Sequence, residues 1–204
     1  MVRVVVGSAF LIVLLTPFWV LAVPPALTPG DLARLGRGEI VFKADLPFVD
    51  GAPSGNGGTA VALLRADVEA VWRILTDFGH YAGLFPRLTE SEVINQEGPR
   101  ARVRFHVAVG LFNFRFTVAQ NVSREERRIQ WRLDRSQAND LFYDTWGYWQ
   151  LDSAPGGQVL VTYAMGSQTV LPAFLTRGSE QDSVVKTMSA LKARAERPGA
   201  GAAN

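Results

Sequence analysis

There is no cysteine in this chain. That excludes disulfides, a thiol nucleophile, thiolate metal sites and a lipid-modified cysteine at an export cleavage site. Histidine is nearly absent too, with only His80 and His106. Two histidines far apart in sequence are a poor ligand supply, so no metal and no other cofactor is expected. The serines sit in no G-x-S-x-G setting. The glycine-rich stretch GAPSGNGG lacks the Lys-Ser/Thr ending and the strand–helix context of a phosphate loop. Hydrolase and nucleotidase chemistry thus lose their usual machinery, and no residue is marked as catalytic by a motif. A charge excess is also missing. There are 21 basic and 19 acidic side chains, for a net charge of +2. The sequence pI near 9.2 reflects how few groups titrate between neutrality and that value. Such a balance does not point to a nucleic-acid partner.

What the chain has is apolar patterning. Hydrophobic residues make up 48% of it. The first 22 residues carry Arg3 as their sole charge, then a long apolar run ending in Val20-Leu21-Ala22. This reads as a secretory signal cut after Ala22. The run from Val4 to Val23 is also just long enough to remain as a membrane anchor. Pro17 and the small residue Ala22 favour cleavage, and either reading places the protein outside the cytoplasm. Loss of residues 1–22 would remove one basic group and lower the net charge from +2 to +1.

Residues 23–58 read as a lead-in and linker. Thr28 is placed to cap a short helix, with Pro29 in its first turn and Asp31 favoured by the helix dipole. Glu39–Asp45 is a short strand candidate, and Pro47–Gly58 is rich in turn formers. A compact domain is expected over 59–197, with a disordered tail at 198–204. Thr59–Leu64 reads as a strand. Asp67 is an N-cap for a helix whose Val68, Val71, Trp72 and Leu75 share one face. Gly79, Gly83 and Pro86 break the chain before a strand at Thr89–Asn95.

Four segments then alternate with period two. Val103, Phe105 and Val107 oppose Arg102, Arg104 and His106. Phe112, Phe114, Phe116 and Val118 oppose Arg115. Ile129, Trp131 and Leu133 oppose Arg128, Gln130 and Arg132. Val159, Val161, Tyr163 and Met165 form the fourth apolar face. A Gly-Gly turn joins DTWGYWQLDSAP to QVLVTYAMG. The last element reads as a long amphipathic helix, with Val184, Met188, Leu191 and Ala195 as its stripe and Lys186, Lys192 and Arg194 toward water.

The order of strand, broken helix pair, antiparallel strands and long C-terminal helix resembles the helix-grip fold. The blocks AVALLRADVEAVWRILTDFGHYAGLFPRLTESEVI, WGYWQLD and VLVTYAMGSQTVLPAFLTRG resemble the START-like, polyketide cyclase/dehydrase and coenzyme Q-binding (SRPBCC) superfamily over about residues 59–195. The resemblance implies an α+β fold in which a curved antiparallel sheet wraps around the C-terminal helix. It implies ligand binding or, in some members, cyclase chemistry. The Glu39–Gly58 lead-in lies outside the common core.

The expected site is a cavity between sheet and helix, with ligand-binding candidates Phe105, Phe112, Phe114, Phe116, Trp131, Trp149, Tyr163 and Met188. Such walls suit a small hydrophobic ligand: a lipid, an isoprenoid or quinone, or an aromatic compound. The competing reading of the same residues is an ordinary packed core. The entrance is expected near His80–Pro86, where Asp77 and His80 are spaced to pair. The alternative function is a cyclase or aromatase using Tyr163, or a pocket carboxylate such as Asp144, as general acid or base. The arginines of the opposite face read as a solvated surface, or as a contact for an anionic membrane or acidic partner.

Overall fold

The computed structural model of this protein describes residues 25–47, 54–171 and 179–197, with side chains from 181 onward in the last stretch. The leader at 1–22, the tail at 198–204 and part of the Pro47–Gly58 linker lie outside the described residues.

The lead-in forms helix α1 (Pro29–Gly36), closed by a capping box between Thr28 and Asp31. Asp31 also meets Lys43 at 2.5 Å. That ion pair, with the hydrogen bonds from Thr28, holds the Asp31 carboxyl well below the usual range. Strand β1 (Val41–Lys43) follows. The core begins with β2 (Asn56–Leu64) and α2 (Val68–Thr76), whose N-cap Asp67 accepts from the Glu69 and Ala70 amides. Val71, Trp72 and Leu75 of α2 are buried, as their spacing predicts. A single turn at Phe78–His80 leads into β3 (Leu88–Glu97), β4 (Arg100–Val109), β5 (Phe112–Ser123) and β6 (Arg128–Leu133). Then come β7 (Phe142–Ala154), β8 (Gln158–Thr169) and the long helix α3 (Ser179–Ala195). The β7–β8 turn uses Gly156 and Gly157 at φ 75° and 71°, a conformation that favours glycine.

The eight strands form one antiparallel sheet in the order β1-β2-β8-β7-β6-β5-β4-β3. Its inner face packs on α2 and α3. Val184, Met188, Leu191 and Ala195 of α3 join Ala60, Leu64 and Val161 in one core. The architecture is α+β with the helix gripped by the sheet, as expected.

The lead-in is more than a linker. It adds β1 as an edge strand and lays α1 against the outer face, where Leu35 packs with Val41 and Val61. It also covers Trp146, an outward residue that is nonetheless buried. The Trp146 ring lies against Gly55 and Gly166, where any Cβ would collide with it, and its Nε1 donates to the Pro47 carbonyl at 3.0 Å.

Of the outer arginines, Arg102 and Arg115 are exposed as expected of a solvated face, and only Arg128 is buried. Arg102, Arg104 and Arg115 pair with Asp134, Glu92 and Asp140. Arg128 is buried over the Tyr148 ring, 4.4 Å from its centroid. Lys192 also departs from expectation. It turns back to the Leu63 carbonyl and to Glu196 because the end of α3 packs on β2. Burial raises the Glu196 carboxyl, but hydrogen bonds from the Arg65 amide and Lys192 outweigh it, and the net shift is downward.

Candidate functional site

Between the inner face of the sheet and α3 lies a cavity of about 210 Å³. The period-two alternation of β4 to β8 places its walls. Phe105 and Val107 come from β4, Phe116 and Val118 from β5, Trp131 from β6, Trp149 from β7, and Tyr163 from β8. The rings form a continuous lining. Trp149 stacks on Tyr163 with centroids 4.1 Å apart, and Trp131 stacks on the same tyrosine at 5.8 Å. Phe105 and Phe116 meet at 5.5 Å, and Phe116 meets Phe142 edge-on at 4.8 Å. Gly147 makes room for Trp131, since a Cβ there would sit 2.3 Å from the indole ring.

Three of the expected ligand-binding residues do not line the cavity. Phe112 and Phe114 have the right parity, but at the hairpin end of β5 the wall is made by their cross-strand partners Val109 and Val107 of β4 instead. Phe112 is 69% exposed. Met188 is fully buried in the core with α2 and β2, because the α3 stripe faces that core rather than the cavity. The adjacent flank of α3, Ser183 and Thr187, faces the cavity instead. Phe105, Phe116, Trp131, Trp149 and Tyr163 are all on the wall.

The two acid–base candidates differ in position. The Tyr163 hydroxyl is in the cavity wall, 3.3 Å from the Met165 sulfur and hydrogen-bonded to Thr187. Burial pushes its phenol well above the usual value, so it stays neutral and serves as a hydrogen-bonding group. Asp144 is not in the cavity. A bulge between Phe142 and Asp144 resets the alternation, so that Thr145 faces inward and Asp144 outward. There the carboxylate meets Arg132 and Arg135, each at 3.0 Å.

His80 is at the surface, paired with Asp77 at 2.7 Å, and does not line the cavity. The turn just beyond it does, through Tyr81, Phe85, Pro86 and Arg87. His106 points outward to Glu90, as its parity predicts. Among the described residues no cluster of His, Asp and Glu could hold a metal.

Sequence reasoning missed the polar part of the wall. Gln120 lies one alternation beyond Val118, and the signal was present in the period-two pattern. Ser183 and Thr187 are an i, i+4 pair beside the apolar stripe of α3. Arg87 had no sequence signal, because only the turn brings it to the cavity.

Residues 58–196 match the family described as polyketide cyclase / dehydrase and lipid transport. The chain belongs to that family, whose members share this START-like, helix-grip architecture. Curated protein sequences give no match. Among solved structures, the chain is similar to the Zhui aromatase/cyclase from a Streptomyces species. The TM-score is 0.61 at 18% identity, covering 68% of this chain and 92% of that one. It is also similar to a STAR-related lipid transfer protein from Xanthomonas axonopodis, with TM-score 0.62 at 16% identity, covering 78% and 99%. A START superfamily protein from Mycobacterium smegmatis gives TM-score 0.58 at 17% identity, covering 68% and 95%. At these identities the likeness speaks to the fold alone.

Proposed function

We propose that this protein binds a small hydrophobic ligand in the cavity and acts as a carrier or binding protein rather than as a catalyst. The aromatic wall of the cavity carries this reading. Apolar contact with the rings supplies about 25 cal/mol per Å² before the costs of binding, so no reacting group is needed. The cavity volume of about 210 Å³ favours a compact ligand, or one end of a longer one. It falls below the roughly 300–1,000 Å³ that enclose a drug-sized molecule.

The cyclase reading has less support. A general acid or base works best with a pKa near the working pH. Tyr163 is pushed away from that range, and Asp144 is outside the cavity. Among the described residues no carboxylate or histidine lines the wall.

Export through the N-terminal leader, with cutting after Ala22, belongs to the same proposal. One experiment addresses both parts: native mass spectrometry of the protein purified from the envelope fraction, followed by organic extraction. A mass lacking residues 1–22 and a stoichiometric apolar species are the expected results. A protein that is empty, and that binds none of a panel of lipids, quinones and aromatic acids, would remove the carrier reading. An intact leader would instead favour the anchor.

The described residues contain no helix long and apolar enough to cross a membrane. Membrane contact would come from elsewhere. The outer arginines give it little support, because several are already paired with carboxylates. The antiparallel sheet brings the β4–β5 turn, the start of β7 and the end of β8 to one end, beside the cavity. Leu111, Phe112, Tyr143 and Val170 are all exposed there. This apolar rim is the surface we propose touches a bilayer when ligand is exchanged. Phosphatidylcholine vesicles are expected to co-sediment the native protein, and a Leu111→Ser/Phe112→Ser variant at least about tenfold less. Absence of native binding would remove the membrane from the scheme.

A further inference from the structure

We infer that the ligand is an organic acid, with its apolar body among the rings and its anionic group on Arg87 at the mouth. This rests on the cavity-binding reading and makes it more specific.

Arg87 is the sole charged side chain on the cavity wall among the described residues. It is exposed, while its neighbours on the wall include buried Tyr81 and Phe85. Arg87 adopts φ 65°, the left-handed region that a side chain with a Cβ enters at a cost of about 1–2 kcal/mol. The conformation is held by backbone bonds on both sides. The Ala108 amide donates to the Arg87 carbonyl at 2.8 Å, and the Leu88 amide donates to Phe85 at 3.3 Å. A strained residue fixed from both sides at the rim of a cavity fits a positioned functional group. No carboxylate among the described residues pairs with Arg87. Arg102, Arg104 and Arg115 differ, each having an acidic partner.

The interior supplies the second observation. Gln120 is 95% buried, at 5% exposure, and lines the cavity. An amide on the wall can exchange hydrogen bonds with a ligand oxygen or hydroxyl. The amide, Thr187 and the neutral Tyr163 hydroxyl can accept an uncharged polar group but cannot neutralise an anion. A carboxylate placed among them would be desolvated without a counter-charge, which is strongly unfavourable. At the mouth it keeps water on one side and gains a guanidinium on the other, a strong charge-assisted contact. The chemistry therefore orients the ligand: neutral polar group inside, acid outside.

The test uses 2-naphthoate and decanoate, each against its methyl ester, measured by calorimetry on the native protein, Arg87→Gln, Arg87→Lys and Thr187→Trp. The acids are expected to bind the native protein at least about tenfold tighter than the esters. Arg87→Gln should bring acid and ester to within about twofold of each other. Arg87→Lys should keep part of the preference, and added salt should weaken it. Equal binding of acid and ester to the native protein, or a preference that survives in Arg87→Gln, overturns the assignment and leaves the cavity reading standing. If no acid or ester binds, or if Thr187→Trp binds them unchanged, the cavity reading fails as well.

Discussion

A Thr187→Trp variant is expected to fold and to lose affinity for decanoate and naphthoate by at least about 100-fold. Thr187 sits on the inward flank of α3, half-buried and on the cavity wall. An indole there projects into a cavity of about 210 Å³ whose other walls are already aromatic. Overpacking of this kind costs roughly 1–3 kcal/mol, which a domain of ordinary stability tolerates. The cavity space also gives the new ring somewhere to go. Tyr163 loses its hydrogen bond to Thr187 but keeps its contact with the Met165 sulfur. A 100-fold loss corresponds to about 2.7 kcal/mol. Circular dichroism and a melting curve check folding, and calorimetry reads binding. A folded variant with native affinity would place the ligand elsewhere.

The second large effect is on stability and lies on the other face of the sheet. The Arg132→Ala/Arg135→Ala double variant is expected to lose about 3–5 kcal/mol. The Asp144 side chain is only 1% exposed and relies on these two guanidinium groups. Taking both away leaves a buried carboxylate without a counter-charge, which costs more than the pair contributes when intact. For a chain of this size the melting temperature should fall by roughly 6–20 °C. Asp144→Leu added to the double variant should recover part of the loss, because the orphaned charge goes with it. A double variant melting within about 2 °C of the native protein would show that the carboxylate is not held in this way. Ligand affinity measured well below the melt should stay native, since the triad faces away from the cavity. A binding defect in a folded double variant would put Asp144 back among the candidate site residues.

Much of the fold was legible because its signals are local. Period-two alternation from Val103 to Met165 marks the strands and their inner faces. Asp67 and Thr28 mark helix starts, and Gly156-Gly157 marks a turn, each through the conformation of its own residue. Five of the eight expected cavity residues lie on the wall for the same reason. The parity of a strand gives the face a side chain takes. It does not give which strand of a pair supplies the wall, and so Val107 and Val109 are on it while their partners Phe114 and Phe112 are not. The stripe of a helix gives its buried side but not which neighbour fills the contact, and Met188 meets core instead of cavity. The role of the lead-in was hidden because Trp146 and Pro47 are far apart in sequence.

The sequence by itself determined the α+β class, the order of the elements and the aromatic character of the inner face. Each follows from composition or from backbone periodicity, which act within a few residues. Tertiary structure alone decided that the rings enclose a space instead of filling it. It also decided that Asp144 faces outward across a bulge and that Arg87 stands at the mouth. Those are outcomes of sheet curvature and of contacts between distant segments, and no local pattern encodes them.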